Sequence, residues 1–255
     1  MRPALTLARF VVLEACRTGL PLLVVCALAL GVGLAGFLSR LALTESATLQ
    51  TGVLASFFRV SAVFMTAAFV VTSMVRESND KGTELLLSLP ISRTTYYLGK
   101  ATGFAACGTI LAGIFSAALL FWCPPGAVAV WCLSLMLEVS LMAVVSLFFV
   151  MTIGDVVPAL AAMAGCYLLS RVMVSFQAIA ISPLAEPPDG LQQLATNGID
   201  LVALLLPPLD RATQTVWLLY AAPSSAEFLH LAGMRFVYGT LVTAAGLVDF
   251  HRRNL

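Results

Sequence analysis

The sequence predicts an all-α membrane protein with six transmembrane helices, an N-terminal amphipathic interfacial helix, and both termini in the cytoplasm. Three observations predict this fold. Hydrophobic residues make up 60% of the 255 residues, charged residues make up only 11%, and the mean hydropathy is +0.98, which lies outside the range of soluble domains. Six apolar stretches reach the ~20 residues that a helix needs to cross the hydrocarbon core. Lysine and arginine are distributed unequally between the connecting segments, which predicts the orientation.

Residues 1–18 are the first predicted element, an amphipathic helix at the membrane surface. A helical wheel places Arg2, Thr6, Arg9 and Arg17 on one arc and apolar side chains such as Leu7 on the rest, a pattern typical of interfacial helices. A disordered basic tail is the alternative. No cleavable signal peptide is predicted, because charges at Arg9, Glu14 and Arg17 precede any long apolar run.

The six spans follow in order, and we expect them at 20–38, 53–75, 101–122, 127–153, 156–181 and 229–249. Backbone groups in lipid must be hydrogen-bonded within the protein, so a spanning segment is either a helix or a strand of a closed β-barrel. The period-two alternation of barrel strands is missing from these stretches. Small residues recur along two of the spans, at Ala27, Gly31, Ala35 and Ser39 and at Gly99, Gly103 and Cys107. Such faces allow close helix contact, either within one chain or with a second copy.

Basic residues predict that both termini are cytoplasmic, because lysine and arginine in short loops stay on that side. In this orientation nine of them are inside and two, Arg40 and Arg211, are outside. The inside residues are Arg2, Arg9, Arg17, Arg76, Lys81, Arg93, Lys100, Arg252 and Arg253.

Residues 182–228 form a long outer connection, in which we expect short helices at or near the membrane. Its apolar run "GIDLVALLLPPLD" is too short to cross a bilayer. Trp217 and Tyr220 suit a membrane interface, and a structureless loop of this length is uncommon.

Residues 76–100, "RESNDKGTELLLSLPISRTTYYLGK", form the longest hydrophilic stretch and are predicted to be a cytoplasmic loop. Asn79 or Asp80 is suited to cap a short helix that ends before Pro90, and Ser92 to cap a second helix leading into the third span. The leucines at the centre of the loop would be costly to expose, so we expect them to dock onto other protein. An ordinary polar loop would explain Arg76, Lys81, Arg93 and Lys100 but not these leucines.

The pattern "RE", "GTELLLSLPISR" and "YYLGK" resembles the cytoplasmic loop of type-2 ATP-binding cassette (ABC) permeases. The whole layout is similar, with an amphipathic N-terminal helix, six spans and a short basic tail "DFHRRNL". The resemblance implies that residues 1–255 are one permease domain, that the loop contains a coupling helix for an ATPase subunit, and that the protein is a multi-pass exporter subunit of the bacterial cytoplasmic (inner) membrane. The candidate coupling residues are Glu77, Asp80, Gly82, Thr83, Glu84, Leu86, Leu87, Pro90 and Arg93, and Lys100 also matches the pattern.

The resemblance also implies the partners, which are a dimeric ABC ATPase and a second permease, either another copy or a homologue. The phosphate-binding motif GxxxxGK[ST] is missing, since the Gly99-Lys100 pair has Thr94 where the first glycine belongs. This chain is therefore expected to be no enzyme and to hold no cofactor, with ATP and magnesium bound by the ATPase chain. Six scattered cysteines without CxxC and two histidines make a metal site improbable. A net charge of +1 gives no reason to expect nucleic acid as a partner.

Three ionisable residues fall within predicted spans, namely Arg59, Glu138 and Arg171. Each is costly in hydrocarbon and should face the bundle interior or an opposite charge. A Glu138–Arg171 pair is the simplest arrangement, and these residues either belong to a translocation route or form a structural ion pair. The alternative function from another class is a stand-alone secondary transporter or channel that uses Glu138. A membrane-embedded enzyme ranks last, because no HExxH or GxSxG motif is present.

The orientation predicts the outcome of single-cysteine labelling with a membrane-impermeant reagent. A cysteine at Ser78 or Ser92 should react only after the membrane is opened, and one at Gly190 should react in intact cells. The physical reason is the retention of basic loops in the cytoplasm. Labelling of position 78 in intact cells would contradict the orientation.

Overall fold

Six of the helices in the computed structural model are long and apolar enough to cross a membrane, at Leu20–Arg40, Ala47–Asn79, Arg93–Leu119, Pro125–Ile153, Val156–Met173 and Ser225–Arg252. The structure describes residues 2–41, 46–80, 92–181, 197–199, 201–203, 206–207, 209, 213–219 and 223–252. Among the described residues we number the helices α1 (Arg2–Arg17), α2 (Leu20–Leu41), α3 (Ser46–Asn79), α4 (Arg93–Leu119), α5 (Pro125–Ile153), α6 (Val156–Ile181), α7 (Val216–Leu219) and α8 (Ser225–Arg252). Residues 197–199 and 201–203 are also helical. All six predicted spans are confirmed as helices. Several begin earlier or end later than predicted, because the backbone hydrogen bonds of the helix continue past the apolar residues.

The helix ends have local causes in the sequence. Ser92 caps α4, and its hydroxyl accepts a hydrogen bond from the Thr95 N–H at 3.2 Å, as predicted. α5 begins with Pro125, a position where proline's missing N–H costs nothing. α5 ends at Ile153 and is followed by its C-cap residue Gly154, whose φ of 86° is a left-handed conformation that favours glycine.

α5 lies at the centre of the bundle. Its large side chains Trp131, Leu135 and Met142 are fully buried, and it packs against α3, α4, α6 and α8. In contrast, most of α2 and α8 is exposed in the single chain. Since an apolar surface of this kind suits hydrocarbon or another helix, the outer faces of α2 and α8 are the parts of the bundle that meet lipid or partner chains.

Both stripes of small residues are seams within this chain. A Cβ atom added to Gly31 would lie 2.5 Å from the ring of Phe58 on α3. One added to Gly103 on α4 would lie 2.9 Å from the Ala8 backbone on α1, and one added to Gly99 would lie 3.0 Å from Leu7. The glycines therefore let α2 approach α3 and let α1 approach α4.

α1 is amphipathic, as predicted, and it packs on the bundle. Leu7, Val11 and Ala15 are buried, and the helix packs extensively against α4. Its side chains Leu5 and Phe10 stay exposed next to the exposed Arg9. The helix thus has one face for protein and an adjoining apolar face suited to lipid.

The α1–α4 seam predicts opposite effects for two glycine-to-alanine changes on one helix. Gly103→Ala should lower the free energy of unfolding by about 1–3 kcal/mol, because overpacking against backbone cannot relax easily. Gly113→Ala is the control, since its Cβ would meet only Met136 Cε at 3.7 Å, and alanine should stabilise the helix by about 0.5–1 kcal/mol. Unfolding in mixed detergent micelles measures both. Equal effects of the two changes would contradict the close α1–α4 contact.

Candidate functional site

The base of the predicted coupling loop is held by one carboxylate. Glu77, near the end of α3, accepts a hydrogen bond from the Tyr96 hydroxyl at 2.8 Å on one oxygen and forms an ion pair with Lys100 through the other. Tyr96 and Lys100 are one turn apart on α4, so both point to the same place. Both side chains of the ion pair are largely shielded from solvent, and breaking a buried pair typically costs about 3–5 kcal/mol. The helices that lead into and out of the loop are therefore locked together.

The C-terminal helix is held against the same point. Arg93 Nη1 donates to the backbone carbonyls of Phe250 and His251 at 3.4 and 3.5 Å, and a cation at a helix C-terminus is favourable. The Tyr96 and Phe250 rings stack with centroids 5.8 Å apart. We call Glu77, Arg93, Tyr96, Lys100 and Phe250 the loop base. Since α1 also packs on α4 at Gly99 and Gly103, four helices meet there: α1, α3, α4 and α8.

The structure describes only part of the predicted coupling set. Glu77 and Arg93 are in the loop base, and Asp80 follows α3 with its N–H bonded to the Arg76 carbonyl at 2.9 Å. The other six, together with the predicted leucine-rich helix, lie outside the described residues. They are Gly82, Thr83, Glu84, Leu86, Leu87 and Pro90. The contacts with Glu77 add Lys100 and Tyr96 to the candidate site.

Glu138 lies deep in the bundle, 13 residues after the start of α5 and 15 before its end. It is fully buried, and one oxygen accepts a hydrogen bond from the Tyr167 hydroxyl at 3.2 Å. The predicted direct pair with Arg171 does not form, because Tyr167 is one turn earlier on α6 and takes the place next to Glu138. Arg171 instead donates to the Leu209 carbonyl. The second Glu138 oxygen is buried without a hydrogen-bond partner among the described residues.

Two further arginines complete this polar cluster. Arg59 Nη1 donates to the Thr213 carbonyl at 2.8 Å. Arg235 Nη1 donates to the carbonyl and the hydroxyl of Ser134, both at 3.1 Å. Ser134 Oγ in turn accepts from the Thr213 N–H at 3.0 Å. We call Arg59, Ser134, Glu138, Tyr167, Arg171 and Arg235 the intramembrane cluster.

The intramembrane cluster holds the α6–α8 connection to the spans. Arg59 and Arg171 bind backbone carbonyls at Thr213 and Leu209, two points of that connection. Thr213 is fully buried and has a φ of 49°, an uncommon left-handed conformation for a β-branched residue, which persists only when its surroundings fix it. These contacts place a segment of the connection inside the end of the bundle opposite the loop base.

Arg235, Tyr167 and Ser134 were not among the predicted site residues. The signal for Arg235 was available, since an arginine within a predicted span is costly and marks a functional or structural contact. Ser134 and Tyr167 carry no such signal, because hydroxyl residues are common in spans.

Comparison with models of known protein families finds a match. A family model described as ABC-2 family transporter protein matches residues 38–211, which is more than half of the chain. No curated protein matches the sequence. The matched region runs from α2 into the α6–α8 connection. It includes Glu77, Lys100 and Glu138 but not Arg235.

Glu138 and Tyr167 should be energetically coupled, and Glu138 and Arg171 much less so. Tyr167→Phe should lower the free energy of unfolding by about 1–3 kcal/mol, because it leaves a buried acceptor without its donor. In the Glu138→Leu background the same change should have little effect. The matched comparison is Arg171→Gln, which should change the free energy of unfolding by a similar amount in the parent and in the Glu138→Leu variant. Mixed-micelle unfolding of the single and double variants measures this, and stronger coupling of Glu138 to Arg171 than to Tyr167 would contradict the contact.

Proposed function

We propose, because the chain belongs to the ABC-2 family of transporter proteins, that this permease exports its substrate with energy from ATP hydrolysed by a separate chain. The six apolar helices make it a multi-pass membrane protein, and we place it in the bacterial cytoplasmic membrane. Two permease chains, identical or homologous, would line the path. A dimer of ATPase chains would bind ATP and magnesium at the cytoplasmic surface.

The loop base is the observation that carries this proposal. Residues 81–91 follow α3, which carries Glu77, and precede α4, which carries Tyr96 and Lys100. Glu77 contacts both of these α4 residues. A force on the loop is therefore shared by α3 and α4 at once, and by α8 through Arg93 and Phe250. A loose loop would absorb the same displacement by bending. The contacts favour a role in which the loop moves the spans when an ATPase closes on it.

Each predicted coupling residue has a role in this mechanism. Leu86 and Leu87 supply apolar area for a cleft in the ATPase, and Glu84 meets basic groups there. In the helix that we propose for residues 81–91, Asp80, Gly82, Thr83 and Pro90 would set the start and the end. Glu77 and Arg93 bind the loop to the bundle.

At the other end of the bundle, the intramembrane cluster is suited to control the outer opening. Arg59 and Arg171 hold the α6–α8 connection by hydrogen bonds to carbonyls. Such bonds can exchange as the helices shift, because Glu138 offers an alternative partner nearby. Export requires an outer opening that follows closure of the ATPase chains.

A secondary transporter or channel that uses Glu138 is the alternative. The buried Glu138 oxygen that has no hydrogen-bond partner in the described part of the chain favours it. Transport assays in proteoliposomes distinguish the two. Export predicts substrate movement only with the ATPase chains and ATP. Movement driven by a proton or ion gradient, with the permease alone, supports the alternative.

Leu86→Asp tests the coupling proposal. The change puts a charge into the proposed contact with the ATPase, so transport and permease-stimulated ATPase activity should fall by about tenfold or more, with expression unchanged. Ser78→Asp is the control, because it adds the same charge to an exposed position at the same end of the bundle. A Leu86→Asp permease that assembles and transports like the parent would rule out the docking role.

A further inference from the structure

A cavity of about 270 Å³ lies between the corner formed by α1 and α2 and the adjacent end of α3. Glu14, Ser73 and Arg76 line it with polar groups, and Leu20, Leu23 and Phe69 line it with apolar ones. The loop base and the intramembrane cluster share no residue with it. We propose that this cavity binds the headgroup of a bilayer phospholipid that carries a primary ammonium group.

The cavity lies where α2 enters the membrane. α1 ends at Arg17 and the apolar run of α2 begins at Leu20, so their corner is at the membrane surface. Arg76 is near the end of α3, while Phe69 is about two turns further into the span. The polar groups are thus at headgroup depth and the apolar groups at the depth of the first acyl carbons. This gradient matches a phospholipid in the leaflet on that side.

The charges of the cavity are a fixed carboxylate and an exposed guanidinium. Glu14 accepts a hydrogen bond from the Ser73 hydroxyl at 2.9 Å, which holds the carboxylate in place. Among the described residues, Glu14 and Arg76 form no ion pair with each other. Opposite charges that line one cavity without pairing complement a zwitterion, with the ammonium at Glu14 and the phosphate at Arg76.

Headgroup chemistry limits the proposed ligand to a phospholipid with a primary ammonium group. A choline headgroup has no N–H to donate to Glu14. A purely anionic headgroup would pair with Arg76 but place its negative charge beside Glu14. The exposed basic residues Arg9 and Arg17 attract anionic lipids to α1 in general, but they do not line the cavity.

The volume of the cavity limits what enters it. About 270 Å³ is below the ~300–1,000 Å³ typical of sites that enclose a drug-sized molecule. The headgroup fits, and the acyl chains remain in the bilayer beside the exposed Leu22 and Leu23 of α2. A lipid bound in this way joins α1 to α3, and through the α1–α4 seam it stabilises the helices that carry the loop base.

Lipid binding to the purified permease tests the proposal. Native mass spectrometry in detergent should show phosphatidylethanolamine bound about tenfold more tightly than phosphatidylcholine or phosphatidylglycerol, as expected when one charge-assisted hydrogen bond decides the difference. Glu14→Gln should abolish that preference. Glu227→Gln should preserve it, because Glu227 is an exposed glutamate in the first turn of α8.

A second variant keeps the test decisive if Glu14→Gln folds poorly. Ala68→Leu fills the cavity with apolar atoms and leaves its charges unchanged, so phosphatidylethanolamine should bind more weakly while general affinity for anionic lipid stays the same. Equal binding of the three lipids, tighter binding of phosphatidylglycerol, or a preference that either folded variant leaves unchanged overturns the proposal.

Discussion

The structure depends on one carboxylate at the point where two spans leave the membrane. Glu77 binds both Tyr96 and Lys100, so a single acidic side chain fixes the distance between α3 and α4 at the root of the loop. Breaking this ion pair is costly because both side chains are largely removed from water. Loss of one partner leaves the other as a buried charge without compensation. α1 and α8 are added to the same point through glycine contacts and aromatic stacking. The helices on either side of residues 81–91, α3 and α4, are therefore joined to each other and to α1 and α8 at one place.

The two polar sites follow from the constraints of a helix bundle in lipid. Apolar helices gain little from association in hydrocarbon, so close packing at small residues and hydrogen bonds between side chains determine the arrangement. The seams at Gly31 and Gly103 supply close packing. The loop base and the intramembrane cluster supply hydrogen bonds at opposite parts of the bundle. α5 carries Glu138 and Ser134 of the cluster and packs against α3 and α4, which carry most of the loop base. The proposed function requires that a displacement of α3 or α4 at the loop base reach the cluster, and closely packed side chains connect the two sites.

Most of the fold was predictable, because six apolar stretches of sufficient length leave few alternatives in a bilayer. The Ser92 cap was predictable as well, since it rests on local hydrogen-bond chemistry. The partner of Glu138 was not, because Tyr167 and Arg171 share a helical face and spacing alone does not show which is nearer. The packing of α1 on α4 was also missed. Gly99 and Gly103 indicated a close contact, but a sequence does not show which helix fills a seam.

The most direct test of the account is a set of charge changes at Glu77 and Lys100 in the permease reconstituted with its ATPase chains. The measured quantity is the amount of substrate exported per ATP hydrolysed. Glu77→Gln and Lys100→Met should each lower this ratio, and the double variant should be no worse than the poorer single variant, because both changes break the same contact. The exchange Glu77→Lys with Lys100→Glu should recover part of the loss. If each single variant exports as much substrate per ATP as the parent, the loop base does not couple the ATPase to the spans, and the central claim is wrong.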